Sequence, residues 1–144
     1  MSDTPRRWIQ RFENYQKAVA NLANAVGEFR SRRISVLEQA GVIQMFEIAW
    51  DLGWKVLRDY LSETGYSGRE IESPVSTVRT AYSAGYVADG QVWMDATKLS
   101  YTLSHEYRPD RASEALDLIA GRYLAMFVSL VETLADEVQR PRLP

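Results

Sequence analysis

Hydrophobic residues recur every three or four positions along most of the chain, which is the spacing of one face of an α-helix. Near the N-terminus they form a heptad-like seam made of Trp8, Phe12, Tyr15, Val19, Leu22, Val26 and Phe29. A second seam near the C-terminus is made of Ala112, Leu116, Ile119, Tyr123, Met126, Leu130, Leu134 and Val138. Seams of this kind predict a first and a last helix that pack lengthwise on other helices.

Three further helices are predicted between these seams from their start signals. Ser35 and Glu38 match a capping box, which begins a helix that we expect to run to about Thr64. Ser73-Pro74 starts a third helix, and Asp89-Gly90 turns the chain into a fourth. The second helix has the broadest apolar face, which consists of Val42, Phe46, Ala49, Trp50, Gly53, Trp54, Leu57, Tyr60 and Leu61. It is therefore expected at the centre of the core.

No segment shows the alternation of a β-strand, and the connections between the helices are short. Short connections join antiparallel neighbours, so the sequence predicts an all-α fold, an antiparallel up-and-down bundle of four to five helices in a single domain, residues 1–144. The composition of 46% hydrophobic and 25% charged residues is typical of a folded protein. A net charge of -2 gives no overall attraction to nucleic acid or to anionic membranes.

Several kinds of chemistry are excluded by residue counts. The 144 residues include no cysteine and one histidine, which leaves no disulfide, no thiol nucleophile and no ordinary zinc site. The glycines do not form a phosphate-binding loop, so we expect neither a metal nor a cofactor. No uninterrupted apolar run approaches the length of a membrane span, and we expect a cytoplasmic protein without a membrane.

Candidate chemistry is concentrated between Trp93 and Tyr107, in WMDATKLSYTLSHEY. This stretch contains the chain's one histidine, His105, with Tyr107 two residues later and hydroxyl groups at Ser100, Tyr101, Thr102 and Ser104. Its apolar spacing predicts a helix whose end presents the imidazole and the phenol. An imidazole beside a phenol can serve as an acid–base pair. The alternative is a histidine that only caps the helix or fills the core.

Three runs in fixed order carry a family resemblance: IQMFEIAWDLGWKVLRDYL (Ile43 to Leu61), SPVSTVRTAYSAGYVADGQVW (Ser73 to Trp93) and SHEY (Ser104 to Tyr107). With them the chain resembles the nucleotidyltransferase substrate-binding proteins, a branch of the HEPN superfamily of helical domains. The opening RWIQRFENYQKAVANL (Arg7 to Leu22) and the last helix fit the same pattern, so the resemblance covers nearly the whole chain.

The resemblance implies a helical bundle that forms a homodimer and binds a small nucleotidyltransferase encoded beside it, often as a toxin–antitoxin pair. In toxic members the helical protein is a metal-independent ribonuclease. Their motif is an arginine, four to six residues, then a histidine, often with a tyrosine two residues beyond. The partner silences the toxin by attaching adenylate to that tyrosine.

Carried over to this chain, the motif histidine is His105 and the modifiable tyrosine is Tyr107. The arginine is missing, because Ser100-Tyr101 stands where an arginine–asparagine pair is usual. A serine hydroxyl brings no positive charge to a phosphorane and does not replace a guanidinium. Lys98, two helical turns before His105, is the candidate replacement cation, and Arg108 or Arg79 of a neighbouring subunit are others.

These observations support three hypotheses. The first is a homodimeric partner of a small nucleotidyltransferase, with Tyr107 as the modification target and Ser100, Tyr101 and Ser104 as binding residues. The second is a ribonuclease toxin that uses His105 as base and Lys98 or a borrowed arginine as cation, with RNA or a nucleotide as ligand. The third is a purely structural bundle in which Trp50, Trp54 and Trp93 face only the core.

Overall fold

The computed structural model describes residues 4–106 and 108–140, with the side chains of residues 7–106 and 108–140. Within these ranges the chain is helical and contains no strand. The helices are α1 (Thr4–Ser31), α2 (Val36–Glu63), α3 (Pro74–Ala84), α4 (Gly90–His105) and α5 (Pro109–Gln139). A 3₁₀ turn, Gly68–Glu70, precedes α3. The predicted all-α helical bundle is confirmed.

Local sequence signals set the helix boundaries as the sequence predicts. The Ser35 hydroxyl accepts a hydrogen bond from the Glu38 amide (3.1 Å), and the Glu38 carboxylate accepts one from the Ser35 amide (3.0 Å), which completes the capping box of α2. Ser73 caps α3 with Pro74 in its first turn. That helix ends at Gly85, whose φ of 90° lies in the left-handed region that glycine tolerates best.

The core is organised around α2, which contacts α1, α3, α4 and α5. Gly53 marks its closest approach to other helices. A Cβ atom at this position would lie 2.9 Å from the ring of Trp93 on α4 and 3.1 Å from the ring of Tyr15 on α1. Neither ring can yield easily. Trp93 is buried, and the Tyr15 hydroxyl donates a buried hydrogen bond to the Phe127 carbonyl (2.8 Å).

Trp54 of α2 does not fit the third hypothesis, in which Trp50, Trp54 and Trp93 face only the core. Trp50 and Trp93 are buried, but Trp54 is only partly buried, and the Arg58 guanidinium lies 5.1 Å from the centre of its ring. The outward part of the ring is therefore covered by a cation–π contact with a residue one turn along the same helix.

The helix α5 is continuous but not uniform. It begins with a 3₁₀ turn, Pro109–Arg111, and contains a π-helical turn, Ile119–Tyr123. Arg30 of α1 donates a hydrogen bond to the Ala120 carbonyl inside this turn (2.7 Å). The π turn and its arginine contact thus tie the last helix to the first.

By length and composition α5 could cross a membrane, with a mean hydropathy of 1.5 over its most apolar 18 residues. The sequence shows no uninterrupted apolar run of this length because Arg122 and Glu132 interrupt it. A third of the window (33%) is buried inside the bundle. Its buried face supplies Leu116, Ile119, Phe127, Leu130 and Leu134 to the core. Core packing therefore accounts for the buried third of this apolar window.

The contact at Gly53 predicts an unusual effect of alanine. Alanine normally stabilises a helix by about 1 kcal/mol relative to glycine. We expect Gly53→Ala instead to lower the free energy of unfolding by about 1 to 2 kcal/mol, because the methyl group overpacks two fixed aromatic rings. Gly27→Ala is the matched control, since a Cβ there meets nothing within 4 Å. Urea unfolding should show that this control is stabilised. Equal stabilisation of both variants would contradict the close packing.

Candidate functional site

The helix α4 presents the candidate site, and its first turn is fixed by Asp89. The carboxylate of this N-cap residue accepts hydrogen bonds from the amides of Gln91 (3.1 Å) and Val92 (3.2 Å). One face of the helix is buried and consists of Val92, Trp93, Ala96, Thr97 and Ser100. The helix ends at His105, so the predicted helix and its end residue are where the sequence analysis expects them.

A buried pair of hydrogen bonds sets the rotation of α4 about its own axis. The indole N–H of Trp50 on α2 donates to the Thr97 hydroxyl (3.1 Å). That hydroxyl in turn donates to the Trp93 carbonyl one turn earlier (2.8 Å). Thr97 is only 2% exposed, so both partners are needed to satisfy its polar atom inside the core. Which residues of α4 face outward follows from this contact.

The outward face carries Lys98, Tyr101 and His105, which follow one another at spacings of three and four residues. All three side chains are exposed, and Tyr101 is 47% exposed. We call these three residues the outer face. The structure therefore brings together the predicted base, the predicted replacement cation and one of the predicted binding residues.

The imidazole of His105 has a defined orientation. Its Nδ1 lies 2.8 Å from the carbonyl oxygen of Tyr101. A carbonyl oxygen can only accept a hydrogen bond, so this contact requires the proton on Nδ1. In the neutral ring the lone pair is then on Nε2, on the other side of the imidazole. The helix thus orients the histidine with its basic nitrogen turned away from its own backbone contact.

The other two predicted binding residues have different surroundings. Ser100 is 3% exposed and belongs to the buried face, so its hydroxyl is not presented at the surface. Ser104 is exposed, and its hydroxyl donates to the Glu47 carboxylate of α2 (3.1 Å). The ring of Tyr101 stands edge-on to that of Trp50, with 5.9 Å between centroids. These contacts hold the end of α4 against α2.

An ion pair that the sequence did not predict lies near the outer face. Asp95 of α4 and Arg122 of α5 are 2.8 Å apart. The Gln91 amide, then Arg122, lower the pKa of Asp95, and the Asp95 carboxylate raises the pKa of Arg122. Lys98 also helps to lower the pKa of Asp95, but it makes no ion pair among the described residues. No sequence signal links residues 95 and 122, which meet only through helix packing.

A groove lies beside the end of α4, between it and the start of α5. Its lining residues are Leu99, Thr102, Leu103, Glu106, Arg108, Arg111, Glu114, Ala115 and Leu118. The cavity measures about 150 Å³, which is below the roughly 300 Å³ at which pockets for drug-sized ligands begin. Arg108, a candidate borrowed arginine, lines this groove. Tyr107, the predicted modification target, lies outside the described residues.

The other candidate arginine is far from His105 within one subunit. Arg79 of α3 shares a groove with Met94, eleven residues before His105. Eleven residues correspond to about 16 Å along a helix axis. Within one chain, Lys98 is therefore the cation that shares a helix face with the histidine. Among the described residues no group of His, Cys, Asp and Glu side chains is arranged to hold a metal ion.

Comparison with known proteins gives one family match. A family model described as nucleotidyltransferase substrate binding protein like matches residues 10–136 of the 144. The matched region includes the whole of α4 and position 107. No curated protein matches the chain.

The burial of Ser100 predicts what happens when the missing motif arginine is introduced there. We expect Ser100→Arg to lower the free energy of unfolding by about 3 kcal/mol or more, because it forces an unpaired guanidinium into the core. Thr102→Arg is the matched control at an exposed position of the same helix and should change stability by less than about 0.5 kcal/mol. Chemical unfolding measures both. Equal stabilities would show that position 100 can turn its side chain to the surface.

Proposed function

The chain belongs to the nucleotidyltransferase substrate binding protein like family, and from this premise we propose that it binds a small nucleotidyltransferase as the helical half of a toxin–antitoxin-like pair. The proposed form is a cytoplasmic homodimer. The observation that carries the proposal is the outer face of α4, together with the position of residue 107 directly after it. Lys98, Tyr101 and His105 are exposed side chains on a helix fixed to the core.

A rigid, exposed helix end suits recognition by an enzyme that must reach a tyrosine hydroxyl. The last turn of α4 is held by the contacts of Ser104 with Glu47 and of Tyr101 with Trp50. Tyr107 follows that turn after a single residue. A partner that docks on the outer face would contact the chain within two residues of position 107 in the sequence. In the proposed pair, transfer of adenylate from ATP to the Tyr107 hydroxyl releases pyrophosphate and adds a bulky anion two residues after His105 in the chain.

The proposal is tested with a small nucleotidyltransferase, which the proposed pairing expects to be encoded beside this protein. The purified proteins should form a complex in size-exclusion chromatography with light scattering. With ATP and Mg²⁺, intact-mass spectrometry should show one added adenylate per chain, and peptide mapping should place it on Tyr107.

Two variants make this test specific. Tyr107→Phe should remove the added mass and leave the complex intact, because only the acceptor hydroxyl is lost. Lys98→Glu should weaken the complex, because it reverses a charge on the outer face. A complex that does not form, or forms equally well with Lys98→Glu, counts against docking on this face. Adenylate on another tyrosine contradicts the assignment of Tyr107.

A ribonuclease is the second candidate function, and the orientation of His105 favours it. With the proton on Nδ1, the Nε2 lone pair can take the proton of a ribose 2′-hydroxyl. The 2′-oxygen then attacks the adjacent phosphorus to form a 2′,3′-cyclic phosphate, and the bond to the 5′-oxygen breaks as that oxygen takes a proton from water. Lys98 supplies positive charge on the same helix face. The two residues are about 10 Å apart along the axis, a separation that two side chains and a bound phosphate can bridge.

Cleavage of RNA by the purified protein tests this second candidate. We expect His105→Ala to lower the cleavage rate by about 100-fold or more, the usual effect of losing a general base. Lys98→Ala should lower the rate by about 10-fold or more through loss of charge stabilisation. Lys17→Ala, an exposed lysine of α1, is the control and should leave the rate unchanged. Cleavage that persists in His105→Ala would rule out this histidine as the base.

A further inference from the structure

A second groove lies at the other end of α4, between α3 and the first turns of α4. It measures about 330 Å³, which reaches the lower limit of pockets for small-molecule ligands. The lining residues are Val78, Arg79, Tyr82, Ala88, Asp89, Gly90, Gln91 and Met94. Neither the family match nor the candidate site gives this groove a role.

The aromatic wall of the groove is unusual because it is exposed and yet held in place. Tyr82 is 56% exposed, compared with 47% for Tyr101. Its ring lies against Gly90, where a Cβ atom would be 3.3 Å from the Tyr82 Cγ. The glycine thus lets the ring pack closely on the first turn of α4. An exposed ring fixed in this way offers one open face for stacking.

The polar lining groups differ between the α3 side and the α4 side. On the α3 side, Arg79 is exposed and makes no ion pair among the described residues. On the α4 side, one carboxylate oxygen of Asp89 caps the helix, and the Gln91 amide nitrogen donates to Asp95 (2.9 Å). The second Asp89 oxygen and the Gln91 carbonyl oxygen are left as hydrogen-bond acceptors. Val78, Ala88 and Met94 provide the apolar part of the lining.

We propose that this groove binds a nucleotide unit, with its base stacked on Tyr82 and its phosphate at Arg79. A stacking face, an apolar floor and a guanidinium match the base and the phosphate of such a unit. The spare acceptors of Asp89 and Gln91 favour bases with an exocyclic amino group, such as adenine and cytosine, over uracil, which offers only its ring N–H as a donor. The shared chemistry is that of a free mononucleotide or of one nucleotide in single-stranded RNA. This inference does not depend on the proposed nucleotidyltransferase partner.

The position of the groove relates it to the outer face without making it part of that face. Met94, in its lining, lies one helical turn before Lys98 and about 16 Å along the axis from His105. An RNA strand with one base in the groove can therefore run along α4 towards the histidine. For a free mononucleotide, the groove is complete by itself.

The test is isothermal titration of the isolated protein with AMP, CMP, UMP and adenosine. We expect AMP and CMP to bind more tightly than UMP, and AMP more tightly than adenosine. Tyr82→Ala should weaken AMP binding by about 10-fold, and Tyr82→Phe should restore it, because the ring and not the hydroxyl provides stacking. Arg79→Gln should bind AMP and adenosine with equal affinity.

Controls and competing outcomes keep the test decisive. Arg69→Gln removes an exposed arginine that does not line the groove and should bind AMP normally. Thermal melting followed by circular dichroism shows that each variant is folded.

A short single-stranded oligoadenylate that binds more tightly than AMP identifies RNA as the source of the nucleotide unit, and equal binding identifies the free nucleotide. Absence of AMP binding at millimolar concentration, or binding unchanged in Tyr82→Ala, overturns the proposal. The proposal is also overturned if Tyr82→Ala changes the self-association of the protein while AMP does not bind.

Discussion

The candidate site depends on the buried hydroxyl of Thr97. It accepts the indole N–H of Trp50 and donates to the Trp93 carbonyl, so it joins α4 to α2 through polar atoms that water cannot reach. A buried donor that loses its partner costs about 1 to 3 kcal/mol. Rotation of α4 by one residue, about 100°, would break this contact and move Lys98 towards the core. The exposure of Lys98, Tyr101 and His105 therefore follows from a contact on the opposite side of their helix.

Close packing also holds this part of α4 in place. Trp93, which provides the carbonyl for Thr97, also packs its ring against Gly53 of α2. A side chain at position 53 would push this ring away, and with it the turn of α4 that contains Thr97. Hydrogen bonding fixes the rotation of α4, and the glycine allows the helices to approach closely. The two constraints together give the outer face a rigid support on α2, the helix that contacts every other one.

The charges around the outer face follow from the packing of α5 on α4. Arg122 of α5 is paired with Asp95 of α4, which joins the two helices. Lys98, two turns before His105 on the same face, makes no ion pair among the described residues. Asp95, which stabilises the bundle, and the exposed Lys98 and His105 thus lie on the same helix. The groove at Tyr82 lies at the first turns of α4 and His105 lies at its end, so the two proposed sites use different turns of the helix.

The sequence by itself determined the fold class and the helix boundaries, because spacing, caps and glycines act through neighbours in the chain. The capping box at Ser35 and the end of α3 at Gly85 are examples. The one histidine, with Tyr107 two residues later, also marked residues 93–107 as the segment of candidate chemistry. Only the tertiary structure decided that Ser100 is buried while Lys98, Tyr101 and His105 share an exposed face. The pairing of Asp95 with Arg122 and the partial exposure of Trp54 were decided in the same way. The physical reason is that helical periodicity identifies an apolar face, whereas the rotation of each helix is fixed by contacts between residues far apart in the chain, such as Trp50 with Thr97.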